Sequence, residues 1–363
     1  MIPDRSLRVA LAGWFGSDNL GDELILQSLI TSLQVRNIQP VVISIQQYHK
    51  QISKDVPTVV HRSFDDHRKL VRALRAVDAM IIAGGVVQNE TSPWNVPFHA
   101  SRLWAANMAR CPFSAIGMGA GLIRGSISRS IMRRALQPAD MLVVRDANSA
   151  RLLRQWDLQN VKVGADPVFG LKTETTTTSD TMCVILRRPN QRGLKTAAAK
   201  SRVSLPEEML DCWSKAIDRA ASITGLTPQF VAFQASRDHI LHHHVADRLN
   251  VPAKLAKPTL DTVLHEIASS RLVVTMRYHG AVAALLHNRP SILLGYSPKM
   301  ASLAAEGGGW APVLSPRHIT VEQITAAVTE AFSSAARMPE TLARLRTRLT
   351  ENDVALDALV ADL

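Results

Sequence analysis

Cysteine is scarce in this chain of 363 residues: Cys111, Cys183 and Cys212 are odd in number and far apart, which excludes a disulfide framework and a C-x-x-C zinc site. A reducing compartment is expected. Long apolar runs are also missing, since no stretch approaches the ~20 residues of a membrane span, and the start Met1-Ile2-Pro3-Asp4-Arg5-Ser6 lacks the basic and apolar regions of an export signal. A cytoplasmic protein is the expectation. Acidic residues are too few to balance the basic ones, 31 against 42, leaving +11. The excess is not gathered into a Lys/Arg tail, which argues against nucleic acid and leaves a phosphorylated small molecule or an anionic membrane face. The G-x-G-x-x-G fingerprint, the Walker loop, G-x-S-x-G, H-E-x-x-H and any solenoid repeat are absent too, so nicotinamide chemistry and metalloprotease chemistry lose their usual signs.

What is present is an ordinary globular composition, 46% hydrophobic and 20% charged, in a chain long enough for about two domains. Short β-branched runs alternate with helical periods: 9–12 then 22–35, 40–45, 58–60 then 65–76, 79–83 then 98–109, 113–117 then 127–136, 141–144 then 148–156, and 161–163. That is the cadence of a parallel sheet covered on both faces. Residues 171–181 hold a polar, threonine-rich stretch that reads as a linker, after which the cadence restarts at 183–186 and continues to 291–294. The predicted fold is α/β, with two doubly wound Rossmann-like domains facing a cleft, 1–170 and 182–335, followed by a C-terminal helix over 336–363.

In open α/β sheets ligands bind beyond the carboxyl ends of strands, so residues after each strand are the candidates. The first strand runs into Gly13-Trp14-Phe15-Gly16-Ser17-Asp18-Asn19-Leu20-Gly21-Asp22-Glu23, where a helix start favours an anion or a sugar-like hydroxyl cluster. Asp22 is equally readable there as a helix cap. Gly84-Gly85 and Gly117-Met118-Gly119 end two further strands and let backbone approach a ligand or simply turn. Val144-Arg145-Asp146 puts a guanidinium at a strand end, suited to phosphate or carboxylate or to a pair with a neighbouring acid. In the second half Arg277-Tyr278-His279 closes one strand and Tyr296-Ser297-Pro298-Lys299 the next, which makes His279 the best general acid/base in the chain with a cation beside it. Arg187 and Arg188 add positive charge. His242-His243-His244 fan around a helix, cannot chelate one metal together, and read as a solvated face. No metal site is expected.

These motifs together resemble the polysaccharide pyruvyl transferase family, especially the branch that modifies cell-wall polymers for anchoring surface-layer proteins. The resemblance runs over nearly the whole chain: Gly13-x-x-Gly16 with Asn19-x-Gly21-Asp22-Glu23, Gly84-Gly85 with Gln88 and Thr91-Ser92, Gly117-x-Gly119, Val144-Arg145-Asp146 with Ser149, Ala165-Asp166-Pro167, Arg277-x-His279, and Tyr296-x-Pro298-Lys299. It implies a two-domain architecture similar to GT-B glycosyltransferases, phosphoenolpyruvate as donor, a sugar of a lipid-linked surface glycan as acceptor, and a cyclic pyruvate ketal as product. Carried onto this sequence, it implies His279, Lys299 and Asp22 as catalytic residues and Arg145, Arg277, Gly84, Gly85, Gly117 and Gly119 as donor-binding. Asn19, Gln88, Asn89 and Tyr296 fall to the acceptor. No redox cofactor is required, and a loose contact with the inner membrane face follows from lipid-linked acceptors. Val86, Asn89, Met276 and Ser297 depart from the usual pattern and bear on acceptor identity. The rival readings are a nucleotide-sugar glycosyltransferase of GT-B type and a non-catalytic sugar- or anion-binding module.

Overall fold

The computed structural model describes residues 6–46, 56–90, 92–173, 175–188, 206–295 and 297–361. The chain divides into two compact units, 1–171 with 346–363, and 172–345.

In the first unit β1 (Arg8–Ala12) leads into α1 (Leu20–Val35), β2 (Gln39–Ser44), β3 (Thr58–Val60), α2 (His67–Leu74) and β4 (Ala79–Val87). α3 (Asn95–Ala109), β5 (Phe113–Ala120), α4 (Ser126–Leu136), β6 (Leu142–Val144), α5 (Ala147–Arg154) and β7 (Val161–Val163) follow. All seven strands are parallel, in the order β3-β2-β1-β4-β5-β6-β7. The strand order reverses between β1 and β4, which makes that point the crevice of the sheet. Continuous apolar runs such as Val9 to Ala12 and Ala79 to Ala83 are buried because helices cover both faces. α2 places Leu70, Val71 and Leu74 on one stripe and buries it, each side chain contributing about 1.5–3 kcal/mol.

The second unit repeats the plan with β8 (Thr181–Ile185), α6 (Glu207–Thr224), β9 (Thr227–Phe230), α7 (Ala235–Ala246), β10 (Lys254–Leu255), α8 (Leu260–Ser269), β11 (Leu272–Thr275), α9 (Tyr278–Leu286), β12 (Ser291–Leu294), α10 (Pro298–Glu306), β13 (Val313–Leu314) and α11 (Val321–Ser334). Its six parallel strands run β10-β9-β8-β11-β12-β13, so the reversal falls between β8 and β11. α6 stops at Gly225, which takes the left-handed conformation at φ +69° that caps a helix without a Cβ penalty. α11 starts in a reciprocal box between Thr320 and Gln323. α12 (Met338–Ala361) divides its residues between the units, those from Arg346 onward belonging to the first.

Among the described residues no helix is long and apolar enough to cross a membrane.

Candidate functional site

At the β1/β4 crevice the chain leaves Ala12, turns through Gly13 to Asp18 and enters α1 at Leu20, with Asn19 as N-cap. Asp22 is therefore not the cap that capping preference allowed; it lies in the first turn, its N–H donating 3.0 Å to the Asn19 carbonyl. The Asn19 side-chain amide donates to the Asp22 carboxylate, and Glu23 accepts from Gly16 N–H at 2.8 Å. Both acids are buried. Gly84 faces them across the crevice. It sits at a shift of the β4–β5 register with φ +81°, and a Cβ there would come within 3.3 Å of the Asp22 carboxylate. The fold thus brings Asn19, Asp22 and Gly84 to one spot.

Further along the same edge, three motifs lock one another. Arg145 follows β6, is almost fully buried, and donates 2.9 Å to Asp166; Asp146 stands 3.8 Å from its Nε. Asp146 caps α5 by accepting from Ser149 N–H, while Ser149 Oγ accepts from Ala120 N–H at 2.9 Å. A Cβ on Gly119 would lie 2.8 Å from Arg145 Nε, and one on Gly117 would strike Pro167 at 2.3 Å. Gly117 and Gly119 thus let Pro167 and Arg145 pack closely against β5. The guanidinium's main partner is also a buried acid 21 residues away, not a surface neighbour. α12 closes the knot: Asn352 donates to the Ala165 carbonyl at 2.9 Å and Arg348 donates to those of Gly164 and Arg145 at 2.9 and 3.2 Å.

Gln88 and Asn89 serve their own loops. Gln88 accepts from Glu90 N–H at 2.8 Å, and Asn89 clasps both backbone groups of Arg124, joining the β4–α3 loop to the β5–α4 loop. Gly85, half-buried, stays within β4, and Tyr296 lies outside the described residues.

In the second unit Thr275 ends β11, and its hydroxyl accepts from Arg277 N–H at 3.0 Å, setting the turn into α9. Arg277 caps that helix with extended backbone and turns its side chain inward onto Asp238 of α7, which is wholly buried. His279 is the second residue of α9, half-buried, with its ring edge-on to Tyr278 at 5.3 Å. Lys299 is the second residue of α10, also half-buried. Because β11 and β12 pair in parallel, Thr275 against Leu293, the two helix entrances are neighbours and so are the positions of His279 and Lys299. Arg187 follows β8 on the other side of β11; its N–H donates to Met276 Sδ at 3.5 Å.

His242 is no part of a solvated face. It is buried against Phe230, with Nε2 3.2 Å from the Leu186 carbonyl, and burial lowers its pKa to about 4. His243 and His244 do face outward, as the helical fan requires. Sequence motifs did not point to Asp238, nor to a buried cluster in the first unit. There Arg102 of α3 donates to the Gly13 carbonyl and, at 3.3 Å, to His61, its guanidinium 4.4 Å from the Phe98 ring centre. Burial, then the charge of Arg102, lowers the His61 pKa to about 4, and burial lowers that of Arg102 to about 9. Arg102 thereby anchors the turn that starts the crevice. Among the described residues no three His, Cys, Asp or Glu side chains gather to hold a metal ion.

Residues 19–298 match one family, described as polysaccharide pyruvyl transferase. No curated protein sequence matches the chain significantly. Solved structures share its GT-B-like fold at low identity. UDP-GlcNAc 2-epimerase from Neisseria meningitidis bound to UDP-GlcNAc superposes with a TM-score of 0.63 at 12% identity, covering 98% of this chain and 100% of the other. The S. aureus MnaA-UDP co-structure gives 0.60 at 13%, covering 93% and 91%. Acinetobacter baumannii MurG gives 0.52 at 9%, covering 97% and 99%.

Proposed function

Since the chain belongs to the polysaccharide pyruvyl transferase family, we propose that it moves the pyruvyl group of phosphoenolpyruvate onto a sugar of a cell-surface polysaccharide precursor, leaving a cyclic ketal. The observation that carries this reading is the pair His279 and Lys299, an imidazole and an ammonium at the entrances of adjacent helices behind adjacent parallel strands. Helix entrances attract anions, and a cation beside them favours a phosphorylated carboxylate.

In the proposed reaction His279 gives a proton to the enol methylene, so that C2 becomes electrophilic. A sugar hydroxyl forms a C–O bond to C2 and loses its proton. The bond from C2 to the phosphate oxygen then breaks and phosphate departs. A second hydroxyl of the same sugar adds to C2, loses its proton, and closes the ketal. One phosphoenolpyruvate and one sugar give one ketal and one phosphate. Lys299, with Arg187 on the flanking strand, balances the donor's charge; a fixed cation of this kind stabilises the charge that develops on the leaving group. His279 returns to its starting state by taking up a hydroxyl proton.

Arg145 and Arg277 are assigned a different task from donor binding. Each already meets a buried carboxylate, Asp166 and Asp238, and each shapes the turn beside it. Asp22, which accepts from the Asn19 amide, keeps its proposed catalytic role, and Asn19 its proposed contact with sugar hydroxyls. This chemistry is acid–base and electrostatic and calls for no redox cofactor. The acceptor in this proposal is a surface polymer of the cell-wall branch, carried on a lipid.

The test is direct. Phosphate released from phosphoenolpyruvate in the presence of a lipid-linked glycan, with the matching mass increase on the glycan, supports the proposal. Release of a nucleotide from a nucleotide sugar, with none from phosphoenolpyruvate, overturns it in favour of a glycosyl transfer.

A further inference from the structure

The helices α2, α3 and α4 pack side by side on one face of the first sheet, and none of the three contains an aspartate or glutamate. Toward the helix entrances the exposed cations are Arg68 and Lys69 of α2, Arg124 before α4 and Arg129 within it, against Asp65 and Asp66 beside Phe64; Arg72, Arg133 and Arg134 lie in the last turns. A parallel sheet puts all its helix entrances at one edge. At that edge each of these three helices is preceded or opened by a large apolar side chain in solvent: Phe64 is 52% exposed, Trp94 69%, Leu122 52% and Ile127 76%. Asn89 ties the loops of the last three together through Arg124, so they move as one rim. Single exposed apolar residues are commonplace; four on neighbouring loop tips, backed by acid-free basic helices, are not.

We propose that this rim docks on an anionic lipid bilayer. Aromatic and aliphatic tips enter the headgroup boundary while arginines meet lipid phosphates, the combination that holds interfacial proteins. Charge complementarity selects the bilayer over a second copy of the chain, because a copy would present the same positive face to itself. The rim lies at the carboxyl edge that also carries Asp22 and Gly84. A docked protein therefore keeps this edge of the first unit at the membrane surface.

Sedimentation with phosphatidylglycerol–phosphatidylcholine vesicles tests this without any turnover, so it stands or falls apart from pyruvyl transfer. The wild-type chain is expected to bind these vesicles at low salt, to release in high salt, and to ignore phosphatidylcholine alone. The combined variant Phe64→Ser, Trp94→Ser, Leu122→Ser, Ile127→Ser should bind at least about tenfold more weakly, with its circular dichroism unchanged. Arg124→Gln with Arg129→Gln should weaken binding by a similar factor and carries the test if the first variant does not fold. Ile240→Ser, an exposed apolar residue of α7, should bind as wild type. Wild-type chain that stays in the supernatant, variants that sediment like wild type, or rim variants that only convert a dimer to a monomer would each overturn the proposal.

Discussion

Arg277 holds both carboxylate oxygens of Asp238 through a single Nη2 at 2.5 Å, across 39 positions of sequence and out of reach of solvent. The turn that presents His279 starts at this arginine, so the ion pair sets the backbone on which the imidazole stands.

Asp238→Ala strands the Arg277 charge in a buried place and should cost the second unit about 3–5 kcal/mol in denaturant unfolding. Adding Arg277→Met to the same chain should return a large part of that loss. If the single variant unfolds like wild type, the pair has no structural weight.

Gly119→Ala puts a Cβ 2.8 Å from the Arg145 side chain, which would have to shift while held by Asp166. A loss of about 1–3 kcal/mol is expected for such overpacking. The same substitution at Gly125, where a Cβ meets nothing, isolates the strain of its positive φ from any clash.

For the chemistry, His279→Ala should lower kcat by about 10²–10⁴-fold while the thermal midpoint stays put. Lys299→Ala should fall by about 10²-fold, with partial recovery in Lys299→Arg. Turnover within severalfold of wild type in His279→Ala would remove this residue from the mechanism.

Acid should weaken both units by the same physics. His61 in the first and His242 in the second are held near pKa 4 when folded, against 6.5 when exposed. The unfolded chain therefore binds protons that the folded chain refuses. Stability from this source is complete above about pH 6.5 and is lost as the pH falls toward about 4, by about 2 kcal/mol per histidine at about pH 5. Urea midpoints measured along that range should fall, and His242→Gln should flatten the second unit's share.

Much of the architecture is legible before any coordinates. Runs such as 9–12 and 272–275 are too short and too uniformly apolar for surface helices, and the polar stretch before 181 separates two repeats of one cadence. The glycines at 84, 117 and 119, read as strand ends, instead lie inside β4 and β5, which run on to Val87 and Ala120. What the sequence hides is which charge meets which. Arg145 and Arg277 look like ligands for a donor because their acids, Asp166 and Asp238, come from other elements and become neighbours only when the sheets form. His242 looks solvated in a run of three histidines, yet one position in such a run must face β8. The grouping of 346–361 with the first unit is equally invisible, because it depends on Asn352 and Arg348 finding backbone carbonyls nearly two hundred residues upstream.

That last contact has a bearing on biosynthesis. A Cβ on Gly164 would collide with the Asn352 side chain at 2.0 Å and with Val143 at 2.6 Å, so α12 packs closely on this glycine. Ribosomes release this stretch only after the entire second unit has been made, and the earlier-made sheet must wait until then with its Arg145 turn unclamped.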